Sequence, residues 1–577
     1  MKMTLSARIL LILQAFSLFL LGCEAEQHVA EAVAQEQPNI LLIVVDDMGY
    51  TDIGAFGSEI ATPNIDELAT GGMRLTNFHS SPQCAPTRSI LMSGADNHKA
   101  GMGSMFPARL IEGDYGERWG YERYLHERVA TLPERLGDAG YHTYMAGKWH
   151  LGGGDDQTPR ARGFDRSFAL VIGSASHMEM RSHIPLTYVE DGVVIDELPD
   201  NFYSTNTFTD KLITHIGLNI GDGNPFFAYL ALTTPHWPLQ VTEDYRDLNV
   251  GKYDEGYDAL RQRRAARAIE MGVMPDVDIS KFEPVGEAWA DLSEEEQRYQ
   301  ARKMEIYAGM MQNMDDNIGR LVSFLEENGE LDNTFIFFMS DNGAESDRED
   351  RSPTFSSRIA SANYFDNSYE NLGTMTSWTN IGPGWAQATT APYRRFKGFF
   401  SEGGTRVTSF AYYPETIAAR SKEGQYLNVM DVMPTFLDLA NAEFDPARVR
   451  GRDVLPMDGT SFLPVLEGST ELVHSPDVPI AFELHGQRAM RLGEWKAVWE
   501  QYPVNIWWDD EPPPHWNTWR LFNLANDPTE MHDLSRDEPE KLAELTALWD
   551  QWAQDNDVKT DVVAVWPEGP PPAAPAD

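Results

Sequence analysis

Two hydrophobic rhythms alternate along the chain, and their order predicts the architecture. In "PNILLIVVDDMGY", Ile40 to Val45 form an unbroken aliphatic run, the pattern of a strand buried on both faces of a mostly parallel sheet. "TPNIDELATGG" then reads as a capped helix ending in glycines, and "VATLPERLGDAG" as another. "YHTYMAGKWHLG" is a strand, and "PFFAYLALTTPHWP" is a strand with its exit loop. "MEIYAGMMQNMDDNIGRLVSFLEENG" carries apolar positions at helical spacing, and "DNTFIFFMSDNG" is a further buried strand. This alternation predicts an α/β fold with a large doubly wound sheet, mostly parallel or mixed, flanked by helices. Ligands of such sheets gather at the carboxyl ends of the strands.

Two stretches break the rhythm. Residues 243–300 are highly charged and read as a helical surface insertion. Residues 345–390 are rich in Ser, Asn, Gly and aromatics, including Tyr369, Trp378 and Trp385, and read as a long loop; long loops in compact domains are commonly functional. Substrate selection is expected there and in 155–200. From about residue 480, "QRAMRLGEWKAVWE" and "TWRLFNLANDPTEMHDL" predict a smaller antiparallel sheet, and "PEKLAELTALWDQWAQ" a closing helix. The expected organisation is a leader over 1–22, a polar tether over 23–37, the α/β domain over 38–478, an α+β subdomain over 479–560 and a disordered Pro-rich tail over 561–577.

Charge and cysteine usage narrow the function. With 46 basic and 89 acidic residues among 577, the formal charge is −43, which argues against a nucleic-acid partner. The N-terminal "MKMTLSARILLILQAFSLFLLGC" has a positive start at Lys2 and Arg8 and an apolar core from Ile9 to Leu21, the layout of an export signal. Its "LLGC" resembles a bacterial lipobox, so Cys23 is expected to carry a lipid anchor and the protein to be a periplasmic or outer-membrane lipoprotein. An ordinary signal cleaved nearby is the alternative. The only other cysteine, Cys84, then has no disulfide partner in an oxidising compartment.

The strand exits carry the candidate chemistry. Asp46 and Asp47 end the first strand, and Asp341 and Asn342 end the strand at 334–340. Such hard oxygen ligands suit Ca²⁺ or Mg²⁺ rather than zinc. Lys148 and His150, two apart in "GKWHLG", should face one side of an extended segment. His236 sits in a proline-bounded loop, and Lys397 precedes a Gly-Gly turn in "RRFKGFFSEGGTR". Cys84 lies in "SPQCAPTRSILMSG", with Arg88 four residues on and a hydrophobic run that reads as a helix.

"CAPTR" fits the C-x-P-x-R signature of the type I sulfatases, and "VVDDMGYTDIGAFG", "GKWHLG", "PHWP" and "MSDNGAE" resemble that family's other blocks in order. The chain thus resembles a bacterial arylsulfatase of the alkaline-phosphatase superfamily from about residue 38 to 560. Ser93–Gly94 departs from the usual Thr-Gly but keeps the hydroxyl. The resemblance implies that a formylglycine-generating enzyme oxidises Cys84 to Cα-formylglycine. One hydroxyl of the aldehyde hydrate would attack sulfur, and loss of the second hydroxyl's proton would expel sulfate. It further implies that Asp46, Asp47, Asp341 and Asn342 hold one Ca²⁺ with an oxygen of residue 84. Arg88 and Lys148 would stabilise the hydrate and sulfuryl oxygens, and His150 would take the hydroxyl proton. Lys397 and His236 would bind sulfate on the leaving side, with His236 the acid for the departing oxygen. His79 and His142 are expected to be structural.

The implied activity is hydrolysis of sulfate esters, of aryl groups or carbohydrates. A formylglycine-dependent phosphodiesterase or phosphonate monoester hydrolase is the alternative within the superfamily. A non-catalytic lipoprotein that binds sulfated glycans would require a missing site residue, and none is missing.

Overall fold

The eight residues of strand β1 (Asn39–Asp46) are all buried, as its aliphatic run requires of a strand covered on both faces. Each such side chain removed from water contributes about 1.5–3 kcal/mol. The computed structural model describes residues 37–105, 118–180, 188–347, 364–501 and 516–559. The leader, the tether up to residue 36, with Cys23, and the Pro-rich tail lie outside them.

β1 pairs in parallel with β3 (Phe226–Pro235) on one side and β4 (Thr334–Ser340) on the other. β2 (His142–Lys148) lies parallel to β3 and to residues 166–170. These strands form the centre of a ten-stranded sheet. Its flanks are mixed: residues 409–412 run antiparallel to β4, and 188–190 antiparallel to 166–170. The register brings Asp46 opposite Pro235 and Val45 opposite Ser340. The exits of β1, β3 and β4 therefore open at one edge. Gly147 is required for this close packing, because at its φ of +123° a Cβ would lie 1.8 Å from the carbonyl oxygen of Ala231.

Helix α1 (Cys84–Ser93) is buried throughout and ends at Gly94, whose φ of +64° and N–H to the Ile90 carbonyl close it. Ser93 Oγ donates to the Ser89 carbonyl at 2.7 Å, so the hydroxyl at this position has a structural use. Helix α2 spans Glu294–Glu327 and starts ten residues before the hydrophobic pattern predicts. A reciprocal capping box between Ser293 and Glu296 fixes that start.

Two expectations are corrected. The charged 243–300 stretch is not only surface: Arg264, on the helix Gly256–Glu270, is buried and pairs with Asp52 at 2.5 Å and Glu59 at 2.8 Å. A permanent guanidinium can be buried when carboxylates meet it this closely. The 345–390 stretch is not wholly a loop, since Gly382–Thr389 is helical and Trp385 is fully buried against Tyr257 and Trp289.

The C-terminal antiparallel sheet runs through Ile480–Leu484, Gln487–Leu492, Trp495–Trp499 and Trp519–Asn523. The helix Pro539–Asp555 covers one face with Leu545, Trp549 and Ala553. Buried charge pairs link the sheet to the main body: Lys496 to Glu402 at 2.7 Å, Arg394 to Glu500 at 2.7 Å, and His98 to Glu483 at 2.8 Å.

Candidate active site

Cys84 opens α1 directly after the extended Gln83, and its Sγ lies 3.7 Å from Asp47 Oδ1. Asp47 follows the end of β1 with φ +66°. Left-handed backbone of this kind costs free energy and is concentrated at functional positions. One atom each from Asp46, Asp47, Cys84 and His236 fall within 4.8 Å of one another. Asp341 adjoins them, its Oδ1 accepting the Asp47 N–H at 3.2 Å. Asn342 Nδ2 donates to Asp47 Oδ1 at 2.6 Å.

The cations surround this carboxylate group. Arg88, one turn after Cys84, donates from Nε to Asp341 Oδ2 at 2.9 Å and from Nη1 to the Lys148 carbonyl at 2.9 Å. Lys148 at the end of β2 reaches both oxygens of Asp46, at 2.8 and 2.7 Å. Lys397 Nζ lies 2.7 Å from Asp47 Oδ2 and 2.8 Å from Glu345 Oε2. His236 Nε2 is 3.3 Å from Asp47 Oδ2.

Burial sets the electrostatics. It pushes Asp46 up to about 6 despite Lys148, and Asp47 well above the usual carboxylate range. Burial opposes ionisation of Asp341 too, but Arg88 and Lys148 outweigh it and hold that carboxyl below its usual value. The Cys84 thiol is pushed well up by burial, so it is a poor nucleophile as a cysteine. Burial, then Lys397 and Lys148, hold His236 well below its ordinary value. Its Nδ1 must be the donor to the Trp237 carbonyl at 2.6 Å, which leaves Nε2 of the neutral ring facing the site.

His150 departs from the expected geometry. β2 ends at Lys148, and His150 has φ +56°, so strand alternation does not set its direction. Its ring lies against Gly173, where a Cβ would come within 2.6 Å of it. His79 is buried beside Asn77 and Glu402, and His142 pairs with Asp222 at the surface.

Three residues absent from the sequence reading join the site. Glu345 holds Lys397, accepts the Trp237 indole N–H at 3.2 Å and accepts the backbone N–H groups of Ser346 and Asp347. Tyr229 on β3 lies 3.3 Å from Arg88 Nη1. His177 donates from Nε2 to the His236 carbonyl at 3.0 Å. Glu345 stands three residues after Asn342, within the quoted "MSDNGAE". A cavity of about 660 Å³ is bordered by Met178, Glu179, Asp200 and Met375, from both segments expected to select substrate.

The donor set fits a hard cation. Asn342 Oδ1 is buried and has no hydrogen-bond partner among the described residues. It adds a carbonyl oxygen to three carboxylates whose mutual repulsion a divalent ion would relieve.

The chain is similar to known proteins over most of its length. The family model described as Sulfatase matches residues 38–442. An uncharacterized sulfatase of Schizosaccharomyces pombe is 41% identical over 529 residues, covering 89% of this chain and 93% of that protein. An arylsulfatase of Klebsiella aerogenes is 37% identical over 444 residues, covering 75% and 92%. Among solved structures, that of Ps i-CgsB in complex with k-i-k-neocarrahexaose superposes with a TM-score of 0.63 at 25% identity, covering 92% of this chain and 95% of that one. These matches favour a sulfate ester over the phosphodiester and phosphonate alternatives.

Proposed function

The chain belongs to the sulfatase family and is a sulfuric ester hydrolase, and from that premise we propose that it cleaves aryl or carbohydrate sulfates through residue 84, matured to formylglycine, beside a bound calcium ion. The observation that carries this reading is the position of Cys84, 3.7 Å from Asp47 and inside a ring of buried carboxylates and cations. As a thiol with a strongly raised pKa it is unsuited to attack. As formylglycine hydrate it would supply an oxygen nucleophile with a second hydroxyl for product expulsion.

Asp46, Asp47, Asp341 and Asn342 would hold the calcium with an oxygen of residue 84, and the ion would supply Lewis-acid polarisation of a sulfate oxygen. Arg88 fixes Asp341 and presents its guanidinium between β2 and α1. Lys148 and Lys397 would stabilise negative charge on the sulfuryl oxygens. His150 is assigned the hydroxyl proton. His236 would face the leaving side, where a substrate anion would favour its protonated form and let Nε2 donate to the departing oxygen.

The reading extends to maturation by a formylglycine-generating enzyme, export in a bacterium and anchoring through a lipid at Cys23. It also keeps the boundary between catalytic domain and C-terminal subdomain near residue 479. The direct test is release of inorganic sulfate from 4-nitrophenyl sulfate by protein matured in a host with that enzyme. Cys84→Ala should release none above background; equal release by the variant would refute the proposal.

A further inference from the structure

Glu345 has no part in the mechanism above, yet it is buried at the rim of the site and saturated with donors. Its Oε2 accepts Lys397 Nζ at 2.8 Å and Trp237 Nε1 at 3.2 Å, while Oε1 accepts two backbone N–H groups at 2.8 and 2.9 Å. A carboxylate so placed ties Lys397 to the loop that carries His236. It also changes the charge of the site. When ionised, Asp46, Asp47, Asp341 and Glu345 face three permanent cations among the described residues, Arg88, Lys148 and Lys397, which leaves one negative charge in excess beside the neutral His236. A divalent cation on the first three carboxylates would turn this into one positive charge. That matches a sulfate ester, which carries one negative charge. It mismatches free sulfate, which carries two.

We propose that Glu345 is a specificity-determining residue that fits the site to a singly charged sulfate ester and weakens its hold on the doubly charged product. The reason is Coulombic: a fixed negative charge opposes a dianion twice as strongly as a monoanion at the same distance. Removing that charge should therefore favour sulfate over any monoanion of the same shape. The inference rests on the sulfatase reading, but it is measured separately from it.

The test is calorimetric titration of the full-length protein, with calcium present, using inorganic sulfate as the dianion and methanesulfonate as the monoanion. Glu345→Gln should improve the affinity for sulfate relative to methanesulfonate by about tenfold. Glu345→Asp, which keeps the charge, should leave that ratio within about twofold of wild type. Glu345→Met, a second neutral replacement, should shift it as Gln does and serves if Gln folds poorly. A ratio unchanged in the neutral variants, or moved equally by Asp, overturns the proposal. The ratio is readable on protein that turns nothing over, whereas loss of aryl sulfate hydrolysis by the wild type would refute the sulfatase reading instead.

Discussion

Lys148 Nζ sits 2.8 and 2.7 Å from the two oxygens of Asp46, with both side chains fully buried. The end of β2 thus neutralises the end of β1, and Lys397 does the same for Asp47. A bound cation would compete for these oxygens and release the two amines toward an anionic substrate. Removing calcium should therefore abolish turnover. Asp341→Ala should weaken calcium binding at least tenfold, read by calorimetric titration. Full activity after exhaustive chelation, with no metal by elemental analysis, would reject the metal assignment.

His236 offers a second prediction. Its Nδ1 is committed to the Trp237 carbonyl, so Nε2 can act as an acid only when the ring is doubly protonated. If it does so, its loss matters most for poor leaving groups, whose oxygens gather most charge in the transition state. General acid catalysis contributes about 10²–10⁴-fold. His236→Ala should approach that loss in kcat/KM on an alkyl or sugar sulfate and show a smaller loss on an activated aryl sulfate. Equal losses across a series of leaving groups would leave His236 as a sulfate-binding group, with Lys397 the next candidate acid.

His98 predicts a pH dependence of stability. Its ring bridges Asp96 at 2.9 Å and Glu483 at 2.8 Å, and although burial alone would lower its pKa, these carboxylates raise it to about 10. The folded value exceeds the unfolded one, about 6.5. Its stabilisation is then fully present below pH 6.5 and is lost as pH rises toward 10. His98→Gln should cost about 3–5 kcal/mol at pH 6, the range for breaking a buried pair. The deficit in Tm should shrink between pH 7 and 10. A deficit constant with pH would show that packing against Tyr121 and Trp552, not charge, is what His98 supplies.

The central strands were legible because their aliphatic runs are unbroken, and the acids at the ends of two of them marked the four residues proposed to hold calcium. The positions of Lys148 and Arg88 followed from the strand end and the helical turn. His150 was not legible in the same way, because the backbone turns left-handed after Lys148 and strand alternation stops there. Glu345 lies inside the quoted "MSDNGAE", but its role depends on Lys397 and Trp237, which reach it from distant parts of the chain. The same holds for Arg264, whose burial is decided by Asp52 and Glu59 rather than by its charged neighbours. Pairings set by tertiary contact leave no local pattern to read.

The central claim concerns one atom group. Peptide mass spectrometry across residue 84, on active protein from a host that makes formylglycine-generating enzyme, measures it directly. The account predicts an aldehyde at position 84, in a fraction that tracks specific activity. Cys84→Ala should lose several powers of ten in rate, at about 1.4 kcal/mol of barrier for each tenfold. An unmodified thiol at residue 84 in fully active protein would contradict the account.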